Sequence, residues 1–495
     1  MITIDNDNLF IIFEELKDDN KTLFSCSLVN RQWCKIAIPI LWRDPMKKNF
    51  NEQLLDIIKY SLPNKSKTFL LNQGIDINKN RKLQKKPLFD YIKYCKYLRF
   101  NKFNEYINLL TKTLKEEEDY FLIKQEIFKI FINKCSAIKY LDLKLTERYY
   151  QASHDDVSNY QLYKFPGAKN CFLEITEFHC DANIDSSIFY GISEICKLIQ
   201  KIYVYQLYDN PGLIKLIKVQ KNLKKFKYTA SKFIKHRVNE FKGIGKALEN
   251  NSKNLLHFKA MEDLYGNGLI PKMLSKFQNL EKLIIFRLCY CFMQYEIEQQ
   301  LSFTSFPKLK VLHIQDASIY TVKKIIEKTE GNLIKLAIYD VEYDKNCNDN
   351  PFKDLIKTIY QNCPNLKFLR LEIRNNVLND FEKLLINCNQ LEGLVFEHCR
   401  WELYFIDVGK NLLNLLAKSS SINLCNFKFY HGWKFTHHFL NLFFEIWKER
   451  NGRIPLRFYM VGTNKFLSTF EKFKNEGIIE KYEDIDEIYF KCFEW

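Results

Sequence analysis

The sequence predicts an α/β fold made of a repeated strand–helix unit, with a separate helical segment before the repeats. Three observations support this prediction. A short apolar phrase with fixed spacing recurs along most of the 495 residues, helical patterns lie between its copies, and the first 45 residues carry clustered apolar side chains. A chain of this length exceeds one ordinary compact core unless it is built by repetition.

The start of the chain predicts a small helical unit. Apolar residues recur at three- and four-residue spacing, as in amphipathic helices, and Asp7 or Asn8 can cap the first one. The predicted helices are residues 6–16, 21–30 and 31–38. Pro39 limits the third because proline lacks a backbone N–H. About forty residues cannot build a sufficient core, so the rest of the chain or another protein must cover the remaining apolar surface.

Residues 46–90 are predicted to connect this unit to the repeats. They contain an amphipathic helical pattern at 50–62 and the main concentration of basic residues, at 78–87. A solvated basic loop explains such a run most simply. A nuclear-import or phosphate-contacting patch is the functional alternative.

Residues 91–495 are predicted to form the repeats. In the phrase "PNLKFLRLEI", apolar residues stand at Leu366, Leu369 and Leu371, at the first position, three later and five later. The other copies begin at Ile138, Ile175, Ile199, Leu223, Leu255, Leu280, Leu309, Leu333, Leu391, Leu424 and Ile485. From Ile175 to Leu424 the steps are about 24 to 33 residues, near the length of a leucine-rich repeat. The last step, from Leu424 to Ile485, is about two repeat lengths, and residues 454–461 lie near its midpoint.

The spacing within the phrase predicts a short strand whose alternate side chains point into the core. Helical patterns such as 320–331 and 381–390 follow the strands, with Ile or Leu at three- and four-residue spacing. One strand and one helix cannot bury themselves, so neighbouring units stack. The sequence therefore predicts an irregular leucine-rich-repeat solenoid (horseshoe) whose extended concave surface suits a protein partner.

Polar and aromatic residues just after the strand phrases are the predicted substrate contacts. They are Arg287, Gln315, Tyr339, Arg374 and Glu397. A basic concave face would favour acidic or phosphorylated partners.

The start of the chain resembles an F-box over residues 6–45. The resemblance lies in "LFIIFEEL", in "LFSCSLVNRQWCKIAIPILWRDP", and in the spacing between them. The family pattern has an amphipathic first helix, a Leu/Val-rich second helix leading to "VN/CRxW", and an apolar tail ending in Leu-Trp. The family usually begins with Leu-Pro, whereas this chain reads Asp7-Asn8-Leu9. With the repeats, the chain resembles an F-box and leucine-rich-repeat protein, the substrate receptor of a cullin–RING, SCF-type ubiquitin ligase.

The resemblance implies a set of partners. The F-box docks on a Skp-type adaptor, which links it to cullin and RING subunits, while the repeats bind a protein substrate. The adaptor contacts that the resemblance implies are Leu9, Phe10, Ile12, Phe13, Leu16, Leu28, Val29 and Trp33. Ordinary capping of the repeats is the alternative role for these residues.

The sequence predicts no enzyme and implies no cofactor or metal. It lacks a phosphate-cradling glycine loop, a Gly-x-Ser-x-Gly elbow and a His-Glu-x-x-His helix. The 15 cysteines are scattered without a Cys-x-x-Cys pair, which indicates reduced thiols in the core. Cys289 and Cys291 form the tightest pair and have no nearby histidine, so zinc is not expected there.

The net charge of +16 raises the possibility of nucleic-acid binding. The lysines are widely spread and accompany abundant Asn, Ile, Phe and Tyr, which A/T-rich codons also encode. Nucleic acid is therefore not the expected partner. A repeat scaffold or nucleic-acid-associated protein without a ubiquitin role remains the alternative function. No secretory signal or spanning segment is apparent, so a cytoplasmic or nuclear location is expected.

Overall fold

A computed structural model of the chain describes residues 5–47, 52–77, 86–103, 117–144, 160–230, 242–261, 273–286, 299, 303–339, 351–397, 406–430, 433–450, 452 and 454–485. The chain divides into two units. The first comprises Met1–Tyr228 with Lys246–Asn251, and the second comprises Thr229–Gly245 with Ser252–Trp495. Both units consist of parallel strands alternating with helices, as the sequence predicts.

The first unit begins with three short helices: α1 (Asn6–Glu15), α2 (Asn20–Ser27) and α3 (Arg31–Leu41). Each begins at a side-chain cap that satisfies free backbone N–H groups. Asp5 accepts from Asn8 N at 2.7 Å, Asp19 from Thr22 N at 3.1 Å, and Asn30 from Trp33 N at 2.9 Å. The helices enclose a core of Leu9, Phe13, Leu23, Ala37 and Ile40.

Two details of the predicted helices were wrong. The cap of α1 is Asp5 and neither Asp7 nor Asn8, because the helix begins at Asn6. Pro39 lies inside α3, which continues to Leu41. A proline this near the helix end removes a single bond of the ladder, and the backbone N–H of Trp42 still donates to Ile38 O at 3.0 Å.

Two further helices lie in the predicted connector, α4 (Glu52–Ser61) and α5 (Asn64–Asn72). The basic run falls mostly outside the described residues. The domain boundaries at 45 and 90 stay predictions.

The repeats of the first unit supply strands β1 to β5, hydrogen-bonded in chain order. The strands are β1 (Tyr97–Arg99), β2 (Tyr140–Leu143), β3 (Glu177–Asp181), β4 (Lys201–Leu207) and β5 (Lys225–Ala230). The helices between them are α6 (Glu117–Lys134), α7 (Ala168–Phe172) and α8 (Ser186–Ile195), and α9 (Pro211–Lys218) precedes β5. The next helix along the chain is α10 (Lys242–Glu249).

The second unit continues the pattern with strands β6 to β14, again parallel and in chain order. They are β6 (His257–Met261), β7 (Lys282–Phe286), β8 (Val311–Gln315), β9 (Lys335–Tyr339), β10 (Phe368–Glu372), β11 (Gly393–Glu397), β12 (Asn426–Phe429), β13 (Leu456–Met460) and β14 (Ile479–Asp484). Its helices are α11 (Ile319–Glu327), α12 (Pro351–Asn362), α13 (Leu378–Asn387), α14 (Ile406–Ser419), α15 (His437–Lys448) and α16 (Leu467–Asn475).

The predicted apolar phrase is confirmed as the core. Leu366 and Leu369 are fully buried and Leu371 is 2% exposed, and the copy at Leu280, Leu283 and Ile285 is fully buried. The predicted extra copy near residue 454 is strand β13. The last described strand, β14, ends at Asp484, and the final predicted copy, at Ile485, Ile488 and Phe490, lies mostly outside the described residues and stays a prediction.

Buried cysteines lie at the ends of several repeat helices, where their thiols hydrogen-bond to backbone carbonyls. The Cys135 thiol donates to Ile92 O at 3.3 Å, and the Cys196 thiol donates to Phe172 O at 3.1 Å. Burial raises the pKa of Cys196 to about 12, so this thiol stays protonated and unreactive at neutral pH. The ten described cysteines are free, and seven are buried. These findings match the prediction of reduced core thiols, while Cys289 and Cys291 lie outside the described residues.

Asn210 ties two repeats together and caps α9. Its Oδ1 accepts from Gly212 N at 2.9 Å and Leu213 N at 3.2 Å, while its Nδ2 donates to Ala182 O at 3.0 Å and Ile184 O at 2.8 Å. The residue is 2% exposed, so water cannot replace these bonds.

We expect Asn210→Leu to reduce the free energy of unfolding by roughly 3 kcal/mol or more, because it leaves several buried backbone groups unpaired. Asp185→Ala removes the exposed cap of α8 and should cost about 1 kcal/mol. Urea denaturation of both variants measures the difference. Equal losses would show that the buried bonds of Asn210 contribute no more than an ordinary cap.

Candidate protein-binding surfaces

The N-terminal helices carry apolar side chains that the described chain leaves uncovered. Positions i and i+4 of α1, Leu9 and Phe13, turn inward, so the residues between them face outward. The exposed set is Phe10 at 44%, Ile11 at 60%, Ile12 at 48%, Phe24 at 57%, Leu28 at 71% and Val29 at 58%. We call these six residues the apolar patch. Several large exposed apolar side chains on one small helical unit are typical of protein interfaces.

The predicted adaptor contacts separate into three groups. Phe10, Ile12, Leu28 and Val29 belong to the apolar patch. Leu16 and Trp33 are half-buried, and the Trp33 ring packs edge-on against Phe13 with centroids 5.3 Å apart. Leu9 and Phe13 are 1% exposed. Those two support the unit from inside, where a docked partner cannot contact them.

Ile11 and Phe24 are patch residues that sequence reasoning missed. From the sequence, only apolar residues at three- and four-residue spacing were assigned to a helix face. Ile11 and Phe24 do not fit that spacing. An apolar side chain off the core face of a short helix is the signal that identifies them.

The helical unit joins the repeats through backbone pairing. Lys96 N and Tyr97 N donate to Arg43 O at 2.8 and 3.2 Å, just as Lys139 N and Tyr140 N donate to Lys96 O at 2.8 and 3.2 Å. Residue 43 therefore takes the place of a preceding repeat at the edge of β1. This pairing covers a strand edge that would otherwise expose unpaired backbone groups.

Two ion pairs reinforce the junction. Arg99 contacts Asp44 with 2.7 Å between Nη2 and Oδ2, and Arg43 pairs with Glu14 of α1. The hydrogen bond from Arg43 lowers the pKa of the Glu14 carboxyl. The Trp42 ring also packs on Tyr91, with centroids 4.4 Å apart. The unit is thus held on β1 by groups that are distinct from the apolar patch.

The predicted substrate contacts of the second unit are engaged within the fold. Tyr339 is buried, its hydroxyl lies 3.0 Å from His313 Nε2, and its ring lies 4.1 Å from the Arg370 guanidinium. Glu397 pairs with Arg370, and Arg374 pairs with Glu372 at 2.5 Å, all four side chains being nearly buried. Gln315 is half-buried, and Arg287 lies outside the described residues.

Burial also affects the one histidine of this cluster. The His313 ring is 3% exposed, and burial together with the nearby Arg370 charge lowers its pKa well below the usual value. A neutral His313 can share a hydrogen bond with Tyr339 without adding a charge beside Arg370. Tyr339, Arg374 and Glu397 therefore have structural partners, and these three side chains form no open basic face.

The first unit has a different strand face, which sequence reasoning missed. Rings from four neighbouring strands lie in a row: Tyr97 to Tyr140 at 5.5 Å, Tyr140 to His179 at 4.9 Å, and His179 to Tyr203 at 4.1 Å between centroids. The register explains the first and last contacts, since Tyr97 pairs with Tyr140, and His179 pairs with Tyr203. The middle contact is diagonal, because Tyr140 pairs with Glu177, two residues before His179. The sequence signal for this face was the alternation in "KIYVYQL". There Tyr203 and Tyr205 stand between the buried residues Ile202, Val204 and Gln206.

Charged groups surround this row of rings. The Arg99 guanidinium lies 4.4 Å from the Tyr140 ring centroid. Lys225 and Lys227 place Nζ at 5.5 and 5.7 Å from the Tyr203 ring. Next to Tyr140, Glu177 lies between His179 Nε2 and Lys201 Nζ, each at 3.0 Å.

Glu177 makes the first unit sensitive to acid. Burial alone would raise its pKa, but hydrogen bonds from His179 and Lys201 outweigh burial and lower the pKa to about 2. A carboxylate with a lowered folded-state pKa stabilises the fold above its unfolded pKa of 4.5, and this contribution is lost as pH falls toward 2.

We therefore expect Glu177→Gln to destabilise the protein at pH 6 and to have a smaller effect at pH 3. Urea denaturation at both pH values, on the intact chain and the variant, measures this change. If the two proteins differ in free energy of unfolding as much at pH 3 as at pH 6, the assigned role of Glu177 is wrong.

The described residues offer neither a metal site nor a membrane-spanning helix. Within those ranges, no group of three or more His, Cys, Asp or Glu side chains could hold a metal ion. Of the helices described, none is both long enough and apolar enough to cross a membrane.

Three solved structures that resemble the chain are 12–14% identical to it. No protein-family model matches the chain, and no curated protein matches it. Among solved structures, the Rad7 and Elc1 complex of yeast is 14% identical, with 74% of this chain and 87% of that chain covered and a TM-score of 0.35. A Bacteroides fragilis protein is 14% identical, with 58% and 73% covered and a TM-score of 0.34.

A third similar structure is the leucine-rich-repeat-containing protein LegL7 from Legionella pneumophila. It is 12% identical, with 63% of this chain and 98% of that chain covered and a TM-score of 0.30. These values leave function to be argued from the residues of this chain.

Proposed function

We propose that the chain is a non-catalytic substrate receptor of an SCF-type ubiquitin ligase, active in the cytoplasm or nucleus. Its N-terminal helices dock on a Skp-type adaptor, and its repeats bind a protein substrate. The observation that carries the proposal is the apolar patch, which stands on helices whose own core is already complete. Ubiquitin transfer then belongs to the cullin and RING subunits.

The patch is large enough to drive association. Complete burial of one large apolar side chain stabilises a complex by roughly 1.5–3 kcal/mol, and the patch contains six of them. Aromatic and aliphatic anchors of this kind form the energetic centre of interfaces. The proposed contacts are accordingly Phe10, Ile11, Ile12, Phe24, Leu28 and Val29, with Leu16 and Trp33 at the edge.

The junction with the repeats supports a receptor role. Because Arg43 O pairs directly with the backbone of β1, an adaptor on α1 and α2 would be linked to the repeats without a flexible hinge between them in the first unit. A substrate receptor benefits from such a fixed connection, since it must hold its substrate at a defined position.

A repeat scaffold without a ubiquitin role is the second candidate. The same backbone pairing favours it, because the helices then serve as a cap for the edge of β1. Capping alone explains the inner contacts at Arg43 and Asp44, but it leaves the six patch residues without a role.

Calorimetric titration of the full-length chain with a purified Skp-type adaptor tests the proposal. We expect a 1:1 complex with a Kd of about 1 µM or tighter, a value typical of specific protein interfaces. Absence of binding would overturn the ligase assignment. Salt-sensitive binding to RNA or DNA without adaptor binding would favour the scaffold.

A further inference from the structure

We infer that the strand face of the first unit binds an acidic, extended segment of a protein partner. The face is formed by the ring row and the lysines on β4 and β5. This inference rests on the proposed protein-binding role and names the region and the chemistry of its ligand. It moves the predicted substrate site away from the second unit, where Tyr339, Arg374 and Glu397 contact neighbouring side chains of the fold.

The face is open because the apolar residues of each strand point the other way. Leu98, Leu141, Phe178, Ile202 and Phe226 are all fully buried on the helix side. Their neighbours on the opposite side are less covered: Tyr97, Tyr203 and Tyr205 are half-buried, and the Lys201 side chain is 49% exposed. This side therefore presents rings and ammonium groups that a ligand can reach.

Positive charge accumulates at β4 and β5. Lys225 N donates to Gln200 O at 2.9 Å, as Lys201 N donates to Thr176 O at 3.0 Å, so Lys201 and Lys225 occupy equivalent places on adjacent strands. Like charges placed opposite each other destabilise a sheet. Burial and the charge of Lys201 both lower the pKa of Lys225. A ligand carboxylate beside these two ammonium groups would relieve that repulsion.

The rings provide contact area next to the charges. Lys225 and Lys227 lie over Tyr203, and Lys144 lies 4.3 Å from the Tyr205 ring centroid. A peptide carboxylate that binds these ammonium groups would place its aliphatic carbons against the tyrosine edges. Charge and apolar contact together suit a polypeptide whose acidic side chains alternate with short neutral ones.

A single-stranded nucleic acid fits this face less well. Bases bind by stacking on open ring faces, whereas the faces of Tyr140 and His179 already contact neighbouring rings and the Arg99 guanidinium. Glu177 and Asp142 are the register partners of Tyr140 and His179, where they would repel a continuous phosphate backbone. A peptide can place neutral residues at those points.

The size of the face sets the length of the probe. Five strands spaced about 4.8 Å apart cover roughly 19 Å, which about six extended residues span. The probe is a fluorescein-labelled peptide of about eight residues in which glutamate and serine alternate. A peptide with lysine in place of glutamate is the charge control, and labelled oligothymidine is the nucleic-acid control.

Fluorescence anisotropy with the full-length chain at low salt tests the inference. We expect the acidic peptide to bind, and its affinity to fall about tenfold or more in the variant K201E/K225E/K227E. The matched variant K169E/K215E/K218E reverses three exposed lysines on helices α7 and α9 of the same unit. It has the same net charge and should bind within about twofold of the unchanged chain, since screening weakens distant charges.

Three results would overturn the inference. They are absence of binding by the acidic peptide, an equal loss in both triple variants, and tighter binding of oligothymidine than of the peptide through the same lysines. Adaptor binding is measured on both variants in parallel. Because the apolar patch is not altered, adaptor binding that persists while peptide binding fails would reject this inference alone, and the reverse would reject the ligase proposal alone.

Discussion

The double substitution Phe10→Asp with Leu28→Asp is expected to abolish adaptor binding while leaving the fold intact. Both side chains are exposed, by 44% and 71%, so aspartate at these positions stays hydrated in the free protein. In the complex each carboxylate would be buried against an apolar surface, which is strongly unfavourable. With two interface anchors lost, we expect at least a hundredfold weaker Kd, or roughly 3 kcal/mol.

Calorimetry with the Skp-type adaptor measures the loss, and circular dichroism checks the fold. The matched control is Phe69→Asp with Leu71→Asp on α5, since these side chains are similarly exposed, by 41% and 59%, but lie outside the apolar patch. Adaptor affinity should be unchanged in the control. Unchanged affinity in the patch variant, or equal losses in both, would exclude the patch as the docking surface.

The second large effect concerns the aromatic core of the second unit. Phe458 of β13 is fully buried and faces helices α15 and α16. Its ring centroid lies 5.1 to 6.4 Å from those of Phe427, Phe429, Phe443, Phe444 and Phe470. Such pairs add stabilisation beyond the area they bury.

Phe458→Ala should lower the free energy of unfolding by about 3–5 kcal/mol, because rigid rings from one neighbouring strand and two helices cannot close the cavity. Tyr459→Ala is the matched control, since the next residue along β13 points to the opposite face and is half-buried. We expect a loss of about 1 kcal/mol there. Urea denaturation measures the free energy of unfolding of both variants. Equal losses in the two would contradict the assignment of Phe458 to the core.

The repeated fold was predictable because its signal is periodic and covers many residues. The phrase around Leu366 recurs often enough to reveal the strands, and β13 was found from the length of a gap. Strand β1 was missed because cysteine and phenylalanine replace two of its leucines. Cys95, Leu98 and Phe100 keep the spacing and are at most 2% exposed, so the physical pattern is present with different residues.

The surfaces were less predictable, because exposure depends on which neighbours a side chain meets. Leu9 and Ile12 are equivalent as apolar residues of α1, yet the first is buried and the second is 48% exposed. Arg374 lies just after β10 and pairs with Glu372, two residues before it, whereas Glu397 ends β11 and pairs across the strands with Arg370. The Arg370–Glu397 pair depends on register, which the spacing of leucines alone does not specify.

The central claim is that the N-terminal helices leave apolar side chains open for a separate protein. Hydroxyl-radical footprinting of the full-length chain, read by mass spectrometry, measures this directly at Phe10, Phe24 and Leu28. The account predicts high reactivity in the free protein and strong protection when a Skp-type adaptor is added, with Phe69 and Leu71 unaffected. Low reactivity of the three residues in the free protein, or unchanged reactivity with adaptor bound, would contradict it.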